Sequence, residues 1–245
     1  MRQRPGPTRG RAGREPSVQG PATAPGTPTP APIDPTGASV RQLPMFPLGS
    51  VLFPHMVLPL HVFEPRYRAL VRDVLDGDGE FGVVLISRGH EVGGGDVRTD
   101  VGTVARVVRA EPLDEDRWFV IAVGTRRIRI EGWLPDDPYP RAEVADLDDD
   151  PVGSEVEEHL ARVGPQLRRV LALQAELGQD NVPATFEFAE DPVVACWQAV
   201  VLSPLTPYDA QQVLVTGDPV ARLGLVGELL SDAEETLRLQ LQQEG

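Results

Sequence analysis

Residues 46–70, FPLGSVLFPHMVLPLHVFEPRYRAL, place four prolines among large apolar side chains. Since proline cannot donate a hydrogen bond to a β-ladder, Pro47, Pro54 and Pro59 restrict this segment to short strands at sheet edges or bends. Pro65 suits the first turn of a helix, where its missing N–H costs nothing. The segment therefore predicts short strands that lead directly into a helix.

A helical pattern follows Pro65. Its apolar residues recur with the spacing i, i+3, i+4, i+7 and i+8. They are Tyr67, Leu70, Val71, Val74 and Leu75. Gly77 suits the position just after a helix end. We therefore expect one helix between Pro65 and Gly77, inserted among strands.

Runs rich in β-branched residues at 82–86, 101–113 and 117–130 predict strands. Isoleucine and arginine alternate at the end of the third run, so Arg127 is expected on a solvated face, opposite the side occupied by Ile128. Such alternation is typical of a strand that buries only one of its faces.

The pattern becomes helical after the acidic segment DLDDDP at 146–151. Ser154 and Glu157 have the spacing of a capping box, and Pro165 is expected to bend the first helix. A capping residue followed by proline marks three further helix starts. These are Asp191-Pro192, Thr206-Pro207 and Asp218-Pro219.

These patterns predict an α+β fold in three parts. Residues 1–40 hold nine prolines, six glycines and no aromatic residue, so they cannot bury enough surface to fold and are expected to form a disordered tail. Residues 41–149 are predicted to be the β-rich part of a domain, and residues 150–245 its helical part.

The chain has a net charge of −14 and no lysine, since all 23 basic residues are arginine. The missing lysine excludes a P-loop, a Ser–Lys dyad, a Schiff base and a covalent lysine carrier. The single cysteine, Cys196, is expected to be a small buried apolar residue. Without a signal-peptide pattern or an apolar run long enough to span a bilayer, the expected location is cytoplasmic.

The polar clusters have structural and functional interpretations. Five arginines on the predicted strands favour cross-strand ion pairs, with an RNA-binding stripe as the alternative. They are Arg106, Arg109, Arg126, Arg127 and Arg129. The acidic clusters are typical of solvated turns, and the four histidines lack zinc-ligand spacing. We therefore predict no catalytic, cofactor-binding or metal-binding residue.

Three motifs follow one another along the chain. The first is LPMFPLGSVLFPHMVLPLHVFEPRYRALV, and VGTVARV at 101–107 and VGTRRIRI at 123–130 come after it. In this order they resemble the substrate-binding N-terminal domain of the Lon protease family. The last motif resembles the G-x-x-R strand of the family through Gly124 and Arg127. The first motif agrees with the family at Pro44, Phe46, Pro47, Leu48, Val51, Leu52, Pro54, Pro59, Leu60, Phe63, Glu64, Arg66 and Tyr67. The resemblance spans about residues 41–240.

This resemblance implies a small PUA-like β-barrel with one inserted helix, followed by an α-helical subdomain. It also implies the engagement of unfolded or tagged polypeptides for degradation, with Glu64 and Arg66 fixing the strand-to-helix corner. The chain is similar to the free-standing form of the domain, without the ATPase and peptidase. Since a fold does not determine function, the family supplies an expectation and no catalytic residue.

We therefore predict a non-catalytic, polypeptide-binding module in protein quality control. Its expected partners are unfolded or specific client polypeptides and an ATP-dependent protease, without nucleic acid, membrane or cofactor. An RNA-binding PUA-like module and an uncharacterised hydrolase remain as alternatives. The candidate peptide-binding residues lie beside an expected open strand edge. They are Phe46, Leu52, Phe53, Met56, Leu58 and Phe63.

Overall fold

The described residues form six strands and five helices. In chain order these are β1 (Val40–Leu48), β2 (Val57–Val62), α1 (Pro65–Asp76), β3 (Glu80–Arg88), β4 (Val97–Asp114), β5 (Arg117–Leu134), β6 (Arg141–Leu147), α2 (Glu155–Glu176), α3 (Pro192–Leu202), α4 (Pro207–Val215) and α5 (Pro219–Glu244). The order confirms an α+β fold in which one helix is inserted among the strands and a helical part follows.

The structure is a computed structural model, and it describes residues 40–88, 97–114, 117–179, 182 and 184–244. These residues belong to one compact unit, Ala31–Gly245. Apart from Val40, the predicted tail at 1–40 lies outside the described residues.

Five strands close into a barrel. β1 pairs with β3 in parallel and with β6 in antiparallel orientation, and the antiparallel pairs β3–β4, β4–β5 and β5–β6 complete the ring. β2 lies outside this ring and pairs with the first half of β5, from Val57↔Val123 to Val62↔Trp118. The second half of β5 pairs with β6, so one long strand serves both the barrel and its extension.

Helix α1 begins at Pro65 and ends at Asp76, just before Gly77, as the sequence predicts. Its buried residues are Tyr67, Leu70, Val71 and Val74. The expected fifth member of the stripe, Leu75, is instead 42% exposed, because it lies at the margin of the apolar face. The helix packs this face against one end of the barrel.

The three proline-marked helices begin where predicted. Asp191 accepts hydrogen bonds from the N–H groups of the first turn of α3, Thr206 accepts one in α4, and Asp218 accepts one in α5. The capping-box prediction at Ser154 is wrong, since its side chain makes no capping hydrogen bond and its backbone is already helical. Among the described helices, none is long and apolar enough to cross a membrane.

The segment between β1 and α1 divides its apolar side chains between two cores. Phe46, Leu52, Leu58 and Leu60 join the barrel-end core with α1. Val51 and Phe53 join the helical core instead, where the Phe53 ring centroid lies 6.0 Å from that of Trp197. The proline-rich segment therefore attaches the barrel to the helical part by burying apolar surface on both sides.

Candidate peptide-binding groove

The six candidate residues are not equally accessible. Leu52, Phe53 and Leu58 are 2%, 5% and 9% exposed, so they are core residues with almost no surface to offer a peptide. Met56 is partly buried and packs against both cores. Phe63 is 58% exposed, although it follows directly after a buried strand position.

Phe46 and Phe63 meet at a groove between the ends of β1, β2 and α1. This edge groove has a volume of about 220 Å³. It is lined by Phe46, Leu48, Pro59, Leu60, His61, Val62, Phe63, Glu64 and Tyr67. Stacking fixes its floor, because the Phe46 and Tyr67 ring centroids are 4.1 Å apart with the planes 17° from parallel. The groove is mainly apolar and large enough for one bulky side chain.

A bulge sets the orientation of the strand beside the groove. His55 has a φ of 63°, its N–H donates to the Gly124 carbonyl, and the Gly124 N–H donates to the Met56 carbonyl. This is the pattern of a bulge whose first residue is left-handed. A side chain at Gly124 is excluded, since its Cβ would lie 2.1 Å from the Phe53 carbonyl oxygen.

The bulge determines which backbone groups of β2 form hydrogen bonds to β5. Antiparallel partners alternate between hydrogen-bonded and non-hydrogen-bonded pairs, and Met56 is bonded to Gly124. Leu58, Leu60 and Val62 therefore bond to β5, whereas Val57, Pro59 and His61 turn their backbone groups away from it. Among the described strands β2 pairs with β5 alone, so this outward edge is free.

The polar side chains at the groove have local partners. Arg66 donates to Glu64 at 3.0 Å and stacks over the Tyr67 ring, with 4.5 Å from Cζ to the ring centroid. The hydrogen bond between Arg66 and Glu64 agrees with the expectation that these two residues fix the strand-to-helix corner. The His61 ring lies beside that of Phe119, with 5.0 Å between centroids. Since these polar side chains already have partners, the groove offers a peptide an apolar cavity and the outward backbone groups of β2.

The expected solvated position of Arg127 is wrong, because the residue is 3% exposed and lies between barrel and helices. It donates to the carbonyl of Leu214 at 2.9 Å and forms an ion pair with Asp149 at 2.6 Å. Arg222 donates to the same carboxylate at 2.8 Å. Its guanidinium stacks 3.8 Å above the Trp197 ring centroid. Arg127, Asp149 and Arg222 form the joint network, in which burial lowers the pKa of Arg127 and Asp149 opposes that change.

Sequence patterns missed this network because its members are far apart in the chain. Asp149 belongs to the acidic segment that was expected to be a solvated turn, and Arg222 lies 73 residues later. Among the sequence signals, only the resemblance at VGTRRIRI, through Arg127, included one of the three residues in a motif. Cys196, predicted to be a buried apolar residue, is 1% exposed beside Arg222, and burial raises the pKa of its thiol.

A second ion cluster confirms the predicted cross-strand pairing on the barrel. Glu80 is 4% exposed and accepts hydrogen bonds from Arg126 at 2.7 Å, Arg106 at 2.7 Å and Arg41 at 3.1 Å. The hydrogen bond from Arg126 is the main reason why the Glu80 pKa is lowered to about 2. Two other arginines of the stripe pair with acids of their own strands, Arg109 with Glu111 in β4 and Arg129 with Glu131 in β5, so these two pairs are not the predicted cross-strand kind.

Comparison with known proteins identifies the same domain throughout. A family model described as the ATP-dependent protease La (LON) substrate-binding domain matches residues 42–232. Lon protease 2 of Myxococcus xanthus is 32% identical over 203 residues, which are 80% of this chain and 24% of that protein. Lon protease of Anaeromyxobacter dehalogenans gives the same identity and coverage. The chain thus spans about a quarter of the length of the curated relatives it matches.

Two solved structures resemble the fold. A Lon N-terminal domain protein from Xanthomonas campestris has a TM-score of 0.54 and 29% identity, covering 78% of this chain and 98% of that one. The N-terminal domain of a Mycobacterium avium complex Lon protease has a TM-score of 0.59, with coverage of 78% and 99%. Its 18% identity supports the fold alone.

Proposed function

Because the chain belongs to the Lon substrate-binding domain family, we propose that it binds extended, apolar polypeptide segments at the edge groove without catalysis. The free edge of β2 beside an apolar groove is the observation that supports this function most. A segment added to a strand edge gains affinity from main-chain hydrogen bonds and selectivity from side-chain pockets.

The outward groups of β2 define how such a segment binds. Val57 and His61 each offer an N–H and a carbonyl, whereas Pro59 offers only a carbonyl. One bulky apolar side chain of the segment enters the groove of about 220 Å³, and Phe63 covers it from the rim. Because the site is small and one donor is missing, we expect dissociation constants on the order of 10–100 μM.

The polar groups near the groove support binding over hydrolysis. Glu64 is engaged by Arg66, and His61 lies against an aromatic ring, so neither is arranged as the base of a nucleophile–base pair. RNA binding has less support, because the arginines of the suggested stripe are paired with acids or, at Arg127, buried.

The proposed cellular role is protein quality control, in which an ATP-dependent protease receives the bound segment. The names of the Lon protease relatives supply this context. We expect the full chain to slow the aggregation of a chemically denatured client without ATP. An unchanged aggregation rate at a fivefold molar excess of the protein would count against this role.

A titration of the full chain with a fluorescein-labelled apolar peptide tests the binding site. Phe63→Ala removes the exposed side chain at the rim, and we expect affinity to fall by about fivefold to tenfold, typical of the loss of an aromatic contact. Tyr208→Ala is the matched control, since Tyr208 is a 71% exposed aromatic residue on α4. Equal affinities for the two variants would exclude Phe63 from the site.

A further inference from the structure

We propose that the protein has a second polypeptide-binding site, a groove on α2 that takes a segment in which arginine or lysine adjoins bulky apolar side chains. This acidic groove lies between α2, the segment 186–190 and the start of α3, and has a volume of about 410 Å³. It is separate from the edge groove, with which it shares no lining residue. Its size is within the range of sites that hold small ligands or several side chains.

The floor of the acidic groove is apolar. Leu160, Ala161 and Phe188 line it, with the buried Ala195 below. Phe188 is held by the Phe186 ring, with 5.1 Å between centroids. A Cβ on Gly164 would lie 3.1 Å from Phe188, so the glycine lets this aromatic side chain approach the helix closely.

Two carboxylates lie at the rim of the groove. Glu157 and Glu190 are exposed lining residues, and within the described part of the chain neither has an ion-pair partner. Pro165 and Ala161 also line the groove. Since Pro165 has no N–H, it cannot form the usual helical hydrogen bond to the Ala161 carbonyl.

The cation at the groove has its own partners. Arg168 donates to the Phe186 carbonyl at 3.2 Å, and its guanidinium lies 4.8 Å from the centroid of the same ring. Within the described residues Arg168 forms no ion pair with either rim carboxylate, so both are available to a cationic ligand. Charge complementarity selects a cationic segment, and the 16 acids against 5 arginines in residues 150–245 attract the same charge over a longer range.

A polypeptide segment fits these features better than a free cation. The apolar floor rewards bulky side chains, whereas the acceptors around it reward a guanidinium or ammonium group with an apolar stem. An arginine or lysine next to leucine or phenylalanine supplies both. Attraction by exposed carboxylates is screened by salt, so binding here should be salt-dependent, unlike binding at the edge groove.

The test uses the full chain and the peptide Ac-Ser-Gly-Arg-Leu-Phe-Arg-Gly-Ser-NH2, with an analogue in which neutral citrulline replaces both arginines. NMR of alanine methyl groups should show that the arginine peptide shifts Ala161 and Ala195. The citrulline peptide should bind about fivefold more weakly, as expected for the loss of rim charges. In Glu157→Gln/Glu190→Gln protein most of this difference between the two peptides should disappear, and only the longer-range attraction should remain.

Two alanine positions on α2 provide a matched pair. Ala161→Trp fills the groove and should weaken binding of the arginine peptide by tenfold or more, whereas Ala172→Trp, at another exposed position, should leave it unchanged. Equal binding by the two tryptophan variants, or equal binding of the two peptides to the unmodified protein, would each overturn the proposal.

Discussion

The edge groove and the joint network use polar groups in opposite ways. At the joint, Asp149 is engaged by two buried guanidinium groups, and Arg127 also donates to the backbone carbonyls of Leu214 and Asp148. At the edge groove, the outward backbone groups of β2 have no strand partner among the described residues. Most hydrogen-bonding groups of the joint network have partners, although Nε of Arg127 and Nε of Arg222 have none in the described structure. The edge groove, in contrast, keeps the outward backbone groups of β2 free.

The difference separates residues that hold the fold from residues that can bind. A buried charge that loses its partner is costly, so loss of one member of the joint network should reduce stability and affect binding only through unfolding. Free strand edges can join another chain, and the outward proline on β2 limits such pairing, as is common for natural edge strands. Changes at the groove should therefore alter binding while stability remains.

Asp149→Asn should produce the largest effect. It leaves two buried arginines without their counter-charge, and removing one partner of a buried pair typically costs about 3–5 kcal/mol. Urea unfolding should show this loss in the free energy of unfolding. Asp148→Asn is the control, because this neighbouring side chain is exposed and its substitution should stay within about 0.5 kcal/mol. Similar values for both variants would contradict the account of the joint.

Acid should weaken the barrel through Glu80. Its pKa is lowered from 4.5 in the unfolded chain to about 2 in the folded protein. The ionised form is thus favoured by folding, so its contribution is complete above about pH 5 and is lost as the pH falls towards 2. A shift of this size corresponds to about 3 kcal/mol.

The free energy of unfolding should therefore fall with pH more steeply for the unmodified protein than for Glu80→Gln. The variant should be less stable at pH 7, because three arginines lose their shared carboxylate. Parallel pH profiles of the two proteins between pH 5 and 2 would show that Glu80 does not contribute to acid sensitivity.

The contrast between these regions also shows what the sequence can predict. The inserted helix and the three later helix starts depend on signals within a few residues, such as Pro65 after a strand or Asp191 before a proline. The burial of Arg127 depends on Asp149 and Arg222, which lie 22 and 95 positions away in the chain. The alternation of isoleucine and arginine in β5 indicated a solvated face for Arg127. It carries no information about the helices that pack on that face.

The candidate site shows the same limit. An apolar run led to the candidate residues between 46 and 63, but it could not show that Phe53 packs against Trp197 while Phe63 remains exposed. Which apolar residues become buried and which stay exposed depends on the helical core, and the helices of that core lie far along the chain, as Trp197 does.

A smaller effect is expected from His61→Pro. His61 turns its N–H away from β5, so a proline there removes a donor from the free edge without removing a ladder bond. Thermal unfolding should show that the free energy of unfolding changes by less than about 1 kcal/mol, and affinity for an apolar peptide should fall by about threefold. Leu60→Pro is the matched opposite, since it removes a ladder bond and should cost about 3 kcal/mol or more. If both variants lose stability equally, the assigned register of β2 is wrong.

Amide hydrogen exchange with and without a saturating apolar peptide tests strand addition at β2 most directly. The N–H groups of Val57 and His61 point to the free edge, and those of Leu58 and Leu60 bond to β5. We expect the peptide to slow exchange at Val57 and His61 by about tenfold or more, with little change at Leu58 and Leu60. Unchanged exchange at Val57 and His61 while the peptide is bound would show that β2 does not accept a strand.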